Sequence, residues 1–246
     1  MLKALIFDVD GTLANTERDG HRVGFNRAFA EKGLDWHWSV ELYGELLAVA
    51  GGKERLKYFI DRDRPNLPEV SDITAFIKEL HQLKNKYYQA LLKEGAIPLR
   101  PGVKRLITEA RENNIRLALA TTTTLSNAMT LLENTLDPDW FEVIAAGDIV
   151  PLKKPAPDIY YYALKKLDLA PEHCLVFEDT AHGLEAATTA GLQTIVTVNN
   201  YTENQDFSKA SLVVSHLGEP DDNNQVIQGK TSDSGYLDVE ILQKLL

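Results

Sequence analysis

The stretch ALIFDVDGTLANTE, residues 4 to 17, decides the fold and indicates the chemistry. It opens with an apolar run, and two aspartates, Asp8 and Asp10, follow that run two positions apart with a glycine directly after them. A short apolar run of this kind predicts a buried β-strand. Alternate side chains of an extended chain point the same way, so the strand would deliver both carboxylates to one place.

Five further apolar runs of strand length follow along the chain, and helical patterns lie between most of them. Strands are predicted in IRLALAT (115–121), EVIAA (142–146), CLVFE (174–178), QTIVTV (193–198) and SLVV (211–214). Helices are predicted near 102–114, 125–135, 157–167 and 182–190. This alternation predicts an α/β fold with a doubly wound, Rossmann-like parallel sheet. The polar segment 218–235 predicts a loop, and the final residues, YLDVEILQKLL, predict a closing helix.

One long interval interrupts the alternation of strands and helices. Residues 15–96 show helical periodicity and no convincing strand; Ile73, Ile77 and Leu80, for example, would share one helical face. The two prolines of IPLRPG (97–102) indicate where the chain returns to the sheet. We therefore predict a core domain of residues 1–14 and 97–246, with an all-helical cap domain of residues 15–96 inserted after the first strand.

The composition is that of a folded globular protein, with 44% hydrophobic and 25% charged residues. The formal charge of -10 argues against a nucleic-acid partner. The sequence has neither an apolar stretch long enough to span a membrane nor a signal pattern at its start. We expect a cytoplasmic monomer with no membrane partner, in which the single cysteine, Cys174, is a core residue.

Polar side chains stand at the carboxyl ends of several predicted strands. Ligands bind at these ends in open α/β sheets, so side chains there are expected to meet in one site. The candidates for this site are Asp8, Asp10, Thr121, Lys154, Glu178 and Asp179.

These residue types are suited to phosphoryl transfer through a covalent intermediate. A carboxylate can attack phosphorus and form an aspartyl phosphate, provided that a cation neutralises the repulsion between the two anions. Mg²⁺ prefers oxygen ligands and retains waters. The side chains of Asp8 and Asp179 and the backbone carbonyl of Asp10 would bind it, with Glu178 as a direct or an outer ligand.

The other candidates take the remaining catalytic roles. Lys154 would supply positive charge to the attacking carboxylate and to the transferring phosphoryl group. Thr121 and the N–H groups at the start of the next helix would hold phosphate oxygens. Asp10 would protonate the leaving oxygen and then act as base for the water that hydrolyses the intermediate.

The combination of these motifs resembles the haloacid dehalogenase superfamily. DVDGT, Thr121, Lys154 in KKPAPDIYYYAL, and Glu178–Asp179 in FEDTAHGLEAATTAG resemble its four motifs, with a helical cap inserted between the first and the second. The resemblance extends to about residue 215. In that superfamily an Asp at position 10 implies a phosphatase or a phosphomutase, with Asp8 as the nucleophile.

The cap should select the substrate, because the core motifs are common to many members of the superfamily. Its glycine-rich segment AGGKER (50–55) allows close backbone approach and carries two cations, and in HQLK (81–84) a histidine and a lysine would share a helical face. Cations in the cap suggest a second anionic group on the substrate, whereas a solvated face with a flexible turn is the alternative. The candidate residues are Gly51, Gly52, Lys53, Arg55, His81 and Lys84.

The cap and core segments together resemble a narrower group, the CbbY-like xylulose-1,5-bisphosphate phosphatases associated with Rubisco. The segments are TERDGH, GGKER, HQLK, TTTTLSN (121–127), AAGDIV and KKPAPDIY. This resemblance implies a sugar bisphosphate substrate, contacted also by Glu17, Thr122, Thr123 and Asn127, and release of the 1-phosphate to leave xylulose 5-phosphate. It implies a functional link to Rubisco without direct binding, and the chloroplast stroma in a plastid-bearing host whose transit peptide has been removed.

Two alternatives stay open. β-Phosphoglucomutase shares the core motifs, the helical cap and a lysine at position 84, but its cap histidine would be expected at position 20, which is Gly20 here, with His21 one place on. Its arginine loop is also replaced by GGKER. A phospho-accepting receiver module likewise uses acidic residues, a threonine and a lysine on a parallel sheet, but such modules are about half as long and have no helical insertion.

Overall fold

The computed structural model describes residues 1–49, 51–231 and 234–246 and has an α/β fold. The strands are β1 Ala4–Phe7, β2 Arg116–Thr121, β3 Val143–Ala146, β4 Cys174–Glu178, β5 Gln193–Thr197, β6 Leu212–Val214 and β7 Val226–Gln228. The helices are α1 Arg22–Glu31, α2 Val40–Leu46, α3 Gly52–Asp63, α4 Ile73–Lys93, α5 Val103–Glu112, α6 Leu125–Thr135, α7 Asp158–Leu167, α8 Ala181–Thr189 and α9 Val239–Leu245. A π-helical turn, Thr16–His21, leads into α1.

The seven strands form one sheet in the order β3-β2-β1-β4-β5-β6-β7. The first six strands of this order pair in parallel, which confirms the predicted doubly wound sheet. From β1 the chain first adds β2 and β3 on one side and then crosses over to add β4 on the other side, so the strand order reverses at β1. Open sheets of this kind bind ligands in the crevice at such a reversal, beyond the carboxyl ends of the strands.

The prediction of a loop throughout 218–235 is wrong at Val226–Gln228, which forms the antiparallel edge strand β7. This strand has three residues, pairs with β6 alone, and leaves Val226 and Ile227 exposed. It therefore lacks the buried apolar run that identified the other strands. The closing helix is confirmed as α9, whose first turn is capped by the Asp238 carboxylate accepting from the Ile241 N–H at 2.7 Å.

The chain divides into two compact units, which are described separately. The sheet unit comprises Met1–Asn15 and Pro98–Leu246, and the helical unit comprises Thr16–Ile97. In the sheet unit every residue of β1 is buried, and the rings of Phe7 and Phe177 stack with centroids 4.5 Å apart. Packing on both faces of β1 holds the end of this strand in a defined position.

The helical unit, over its described residues, consists of helices and turns without a strand. Its core is aromatic: Phe25, Phe29 and Tyr43 surround Trp38, which is fully buried. Helices α1 and α4 pack closely at Gly24, which has no side chain to separate them. A Cβ at Gly24 would lie 3.0 Å from a backbone carbonyl oxygen of α4. Among the described residues of either unit, no helix has the length and hydropathy needed to cross a bilayer.

Candidate active site

The register of β1 and β4 brings three carboxylates together. Phe7 pairs with Phe177, and the Asp8 N–H donates to the Phe177 carbonyl at 3.0 Å. Asp8 and Glu178 therefore lie side by side at the ends of adjacent strands, and Asp179 follows Glu178. One oxygen from each of these three carboxylates lies within 4.8 Å of the others. The set offers the oxygen ligands that a hard divalent cation prefers.

Lys154 joins three strand ends through one ammonium group. Its Nζ donates to Asp8 Oδ1 and to Glu178 Oε1, each at 2.6 Å. It also donates to the carbonyl of Ala120 at 2.8 Å, near the end of β2. Burial by itself lowers the pKa of Lys154, but Asp8 and Glu178 outweigh burial and raise the pKa above its ordinary value. The lysine is therefore charged.

If all of them were ionised, the carboxylates of this cluster would carry more negative charge than Lys154 compensates. Burial raises the pKa of Asp8 well above its ordinary value; Lys154 opposes this effect, and Glu178 adds to it. Burial and the charge of Glu178 raise the pKa of Asp179 to about 8. Buried carboxylates that repel one another are stabilised as anions by a bound cation. The donor set and its charge therefore fit a divalent metal ion, which Asp8, Glu178 and Asp179 could hold.

Two side chains that the sequence analysis missed position these carboxylates. The buried Tyr160 hydroxyl donates to Glu178 Oε1, and Asn199 Nδ2 donates to Asp179 Oδ2 at 2.8 Å. Asn199 stands two residues beyond β5, so the search of strand ends could have found it. Tyr160 lies on the buried side of α7, where a tyrosine is otherwise expected to be core, and no sequence signal separates it from Tyr161.

Two glycines allow the backbone to approach the carboxylates. A Cβ at Gly11, where φ is +89°, would lie 2.0 Å from Asp179 Oδ2. A Cβ at Gly183, in the first turn of α8, would lie 2.0 Å from Glu178 Oε2. Any side chain at either position would therefore displace a carboxylate, which explains why a glycine follows the aspartate pair.

The other predicted catalytic residues lie around this cluster. Asp10 is half-buried, and its charge adds to the rise in the pKa of Asp8, so the two carboxylates are near neighbours. Thr121 ends β2, directly after the carbonyl that Lys154 binds, and is 1% exposed. Its hydroxyl oxygen accepts from the Thr123 N–H at 3.2 Å, which leaves the hydroxyl hydrogen for a further acceptor.

The remaining predicted residues of the core, Thr122, Thr123 and Asn127, lie at the start of α6 and in the loop before it. Thr124 caps the helix, because its hydroxyl accepts from the Asn127 N–H at 3.3 Å. Thr122 is exposed, and Thr123 and Asn127 are half-buried. Thr122 and Thr123 lie in the loop before α6 and Asn127 in its first turn, and their contacts with substrate stay a prediction.

The helical unit has a second buried polar cluster, centred on Tyr43. The Tyr43 hydroxyl donates to Glu17 Oε2 at 2.6 Å and accepts from Arg55 Nη1 at 3.0 Å. Arg55 is buried and also donates through Nε to the Leu46 carbonyl at 3.2 Å. Burial opposes ionisation of Glu17, but the charges of Arg55 and Lys84 and the hydrogen bond from Tyr43 lower the pKa of Glu17. The sequence analysis named Glu17 and Arg55 but missed the tyrosine between them.

Lys84 occupies the same unit and contacts His21. The two nitrogens, Lys84 Nζ and His21 Nδ1, are 2.8 Å apart. Burial, reinforced by Lys84, lowers the pKa of His21 to about 3, so the imidazole is neutral. An ammonium can only donate, so Nδ1 is the acceptor and Nε2 carries the ring proton. The ammonium of the buried Lys84 also lies 5.2 Å from the Phe25 ring centroid and 5.4 Å from that of Tyr88.

The other cap candidates are placed less deeply. Gly52 and His81 are half-buried and in contact, since a Cβ at Gly52 would lie 2.7 Å from the imidazole. Gly51, with φ of +91°, and Lys53 are exposed. Ala50, the first residue of AGGKER, lies outside the described residues. The structure therefore groups Arg55 and Lys84 with Glu17 in the interior and leaves Lys53 at the surface.

The sequence matches the family model of the haloacid dehalogenase-like hydrolases over residues 2–191. The chain belongs to this family. It is 46% identical to Protein CbbY, plasmid, of Cupriavidus necator over 222 residues, which are 89% of this chain and 87% of that protein. It is 49% identical to Protein CbbY of Rhodobacter capsulatus over 220 residues, which are 88% and 94% of the two chains.

A solved structure of the same family is also similar to this one. It is a variant of CbbY from Rhodobacter sphaeroides in complex with xylulose-(1,5)bisphosphate, with a TM-score of 0.72 and 43% identity, covering 90% of this chain and 97% of that chain. The family match, these relatives and the buried carboxylate–lysine cluster establish the chain as a phosphatase of the haloacid dehalogenase-like hydrolases.

Proposed function

We propose that the chain is a Mg²⁺-dependent phosphatase that removes the 1-phosphate of xylulose 1,5-bisphosphate through an aspartyl phosphate on Asp8 and leaves xylulose 5-phosphate. The observation that carries the proposal is the charge-assisted contact of Lys154 with Asp8 inside a buried cluster of carboxylates. A nucleophilic carboxylate must be fixed, ionised and shielded from the charge of the phosphate it attacks. Lys154 supplies the first of these and contributes to the other two, and a bound divalent cation would supply the remainder.

The proposed reaction has two displacement steps at phosphorus. Lys154 holds Asp8 by Oδ1, so the other oxygen attacks, and the ester P–O bond breaks while Asp10 protonates the leaving oxygen. Asp10, now a carboxylate, then takes a proton from a water that attacks the same phosphorus. The bond between Asp8 and phosphorus breaks, and inorganic phosphate leaves. A bound Mg²⁺, held by Asp8, Glu178, Asp179 and the Asp10 carbonyl, would neutralise charge on the phosphoryl oxygens.

We assign recognition of the second phosphate to the cations of the helical unit. Arg55 and Lys84 are buried there with Glu17 as the carboxylate near them, so positive charge exceeds negative charge among these three side chains. An anionic group with several oxygens satisfies such cations, and a guanidinium is suited to phosphate. Glu17 would accept from a sugar hydroxyl. The link to Rubisco, without direct binding and without a nucleic-acid or membrane partner, belongs to the same proposal.

A phosphomutase of the β-phosphoglucomutase type is the second candidate, and one observation weakens an argument against it. The sequence analysis took the one-place offset of His21 as a departure from the mutase pattern. The segment Thr16–His21 is π-helical, and a π-helical turn holds one residue more than an α-helical turn. The offset of His21 is therefore no argument against a mutase.

A panel of phosphate esters distinguishes the candidates. It contains xylulose 1,5-bisphosphate, ribulose 1,5-bisphosphate, fructose 1,6-bisphosphate and β-glucose 1-phosphate, each with Mg²⁺ and with excess EDTA. We expect the highest kcat/KM for phosphate release from xylulose 1,5-bisphosphate and no release in EDTA. A higher kcat/KM for another bisphosphate would show that xylulose 1,5-bisphosphate is not the preferred substrate. Accumulation of glucose 6-phosphate from β-glucose 1-phosphate would identify a mutase, and stable phosphorylation without turnover would favour the receiver module.

A further inference from the structure

Arg100 binds several backbone segments of the sheet unit through one buried guanidinium. Arg100 lies between Pro98 and Pro101, where the chain re-enters the sheet unit, and is 7% exposed. Its Nη1 donates to the carbonyls of Gly11 and Thr197, the latter at 2.9 Å. Its Nη2 donates to the carbonyls of Val198 and Ser215, the latter at 2.7 Å. These acceptors belong to the loop after β1, the end of β5 and the end of β6.

Two of these segments converge on one oxygen of Asp179. The Gly11 backbone is so close that a Cβ there would be 2.0 Å from Asp179 Oδ2. Asn199, which directly follows Val198, donates its Nδ2 to the same Oδ2 at 2.8 Å. The position of this carboxylate oxygen therefore depends on two segments that a single guanidinium ties together.

The shape of the side chain explains why arginine occupies this position. A guanidinium has five N–H donors in a rigid planar fork, so it can reach acceptors on several segments at once. An ammonium on a flexible stem is a point charge and cannot reproduce that geometry. Arg105, by contrast, ties the carbonyls of Gly218 and Leu237 at 2.8 and 2.9 Å. It has a similar structural role in the same unit, and the carboxylates it pairs with are those of Glu109 and Glu219.

We propose that Arg100 is a positioning residue for the active site: it fixes Asp179 and the Asp8–Gly11 loop in the arrangement that binds the divalent cation. The inference rests on the proposed function, because it assigns Asp179 to metal binding. Replacing a residue that orients metal ligands typically lowers metal affinity or activity by about 10- to 100-fold.

The test compares wild type with Arg100→Lys, Arg100→Met and the control Arg105→Met. Binding of Mn²⁺ alone is measured without substrate from the electron paramagnetic resonance signal of the free ion, and hydrolysis of p-nitrophenyl phosphate is measured across Mg²⁺ concentrations. We expect Arg100→Met to weaken Mn²⁺ binding by ~10-fold or more and to lower kcat at saturating Mg²⁺ by ~10-fold. Arg100→Lys should recover part of both losses, and Arg105→Met should stay within ~2-fold of wild type despite a lower Tm.

Wild-type Mn²⁺ affinity in a folded Arg100→Met protein would overturn the proposal, as would equal losses in Arg105→Met. If Arg100→Met does not fold, Arg100→Lys decides: we expect ~3-fold or greater weakening of Mn²⁺ binding with a near-native circular dichroism spectrum, and wild-type affinity contradicts the inference. The proposed function fails separately if wild type binds Mn²⁺ but hydrolyses no phosphate ester, since the Mn²⁺ comparison then still tests Arg100.

Discussion

The two units each bury a polar cluster, and the clusters differ in the sign of their charge. In the sheet unit the carboxylates of Asp8, Glu178 and Asp179 lie together, and the ammonium of Lys154 donates to the first two. In the helical unit Glu17 lies among cationic side chains. Asp179 is buried and Glu17 half-buried, yet the pKa of Asp179 is raised to about 8 and that of Glu17 is lowered.

The comparison shows that neighbouring charge, more than burial, decides the state of each group. Burial raises the pKa of Asp179 and of Glu17 alike. Glu178 adds to the rise at Asp179, whereas the charges of Arg55 and Lys84 oppose it at Glu17, whose pKa is lowered. The sheet unit therefore favours an added cation and the helical unit an added anion. We expect four substitutions to test this contrast.

The largest effect is expected from Asp8→Asn, which removes the proposed nucleophile and one ionisable carboxyl group from the sheet-unit cluster. An amide cannot replace the carboxylate as a nucleophile, so phosphate release should fall by ~10⁴-fold or more, as for other covalent catalysts. The measurement is phosphate release from p-nitrophenyl phosphate, with circular dichroism as the control for folding. Turnover near the wild-type rate would show that Asp8 is not the attacking group.

Asp10→Asn should have the next largest effect, because it removes the group proposed to transfer the proton but keeps the backbone carbonyl. We expect kcat to fall by ~10²-fold or more, while Mn²⁺ binding without substrate stays close to wild type. Single-turnover kinetics with a good and a poor leaving group sharpen the assignment, since loss of the acid matters less for p-nitrophenolate. A change confined to KM would contradict the role of Asp10.

Lys84→Ala tests whether the buried cations of the helical unit, Arg55 and Lys84, recognise a second phosphate. Charge-assisted hydrogen bonds are worth roughly 1.5–3 kcal/mol, so kcat/KM for xylulose 1,5-bisphosphate should fall by ~10- to 100-fold. p-Nitrophenyl phosphate has no second phosphate and should change little. Lys53→Ala is the matched control: Lys53 is exposed, and exposed charge contacts are worth about 0–1 kcal/mol, so a loss under ~5-fold is expected. Equal losses on both substrates would place the second-phosphate site elsewhere.

The smallest effect concerns stability. The pKa of His21 is lowered to about 3 in the folded protein, whereas the unfolded chain binds this proton near pH 6.5. The unfolded state therefore gains the proton first as pH falls, so the contribution of His21 to stability is present above about pH 6.5 and is lost toward pH 3. Between pH 7 and pH 5 the free energy of unfolding of the wild type should fall by about 2 kcal/mol more than that of His21→Gln. The measurement is urea unfolding followed by tryptophan fluorescence. Parallel pH profiles for the two proteins would contradict the neutral imidazole.

The sequence predicted the features that depend on local pattern. Apolar runs identified six strands because burial on both faces demands them, and the rule that ligands bind at strand ends named Asp8, Lys154 and Glu178 together. It missed β7, a three-residue edge strand with exposed apolar side chains. It also missed Tyr160 and Tyr43, because a tyrosine that supports a carboxylate looks the same in sequence as a tyrosine in the core.

The central claim is that Asp8 becomes phosphorylated in the course of turnover. The most direct measurement is rapid acid quenching of the wild-type enzyme with Mg²⁺ and xylulose 1,5-bisphosphate, followed by mass spectrometry of the peptide that contains Asp8. We predict one added phosphoryl group on Asp8 that forms within the first turnover, decays when substrate is exhausted and is absent in EDTA. Continued phosphate release with no phosphorylated Asp8 at any quench time would contradict the account.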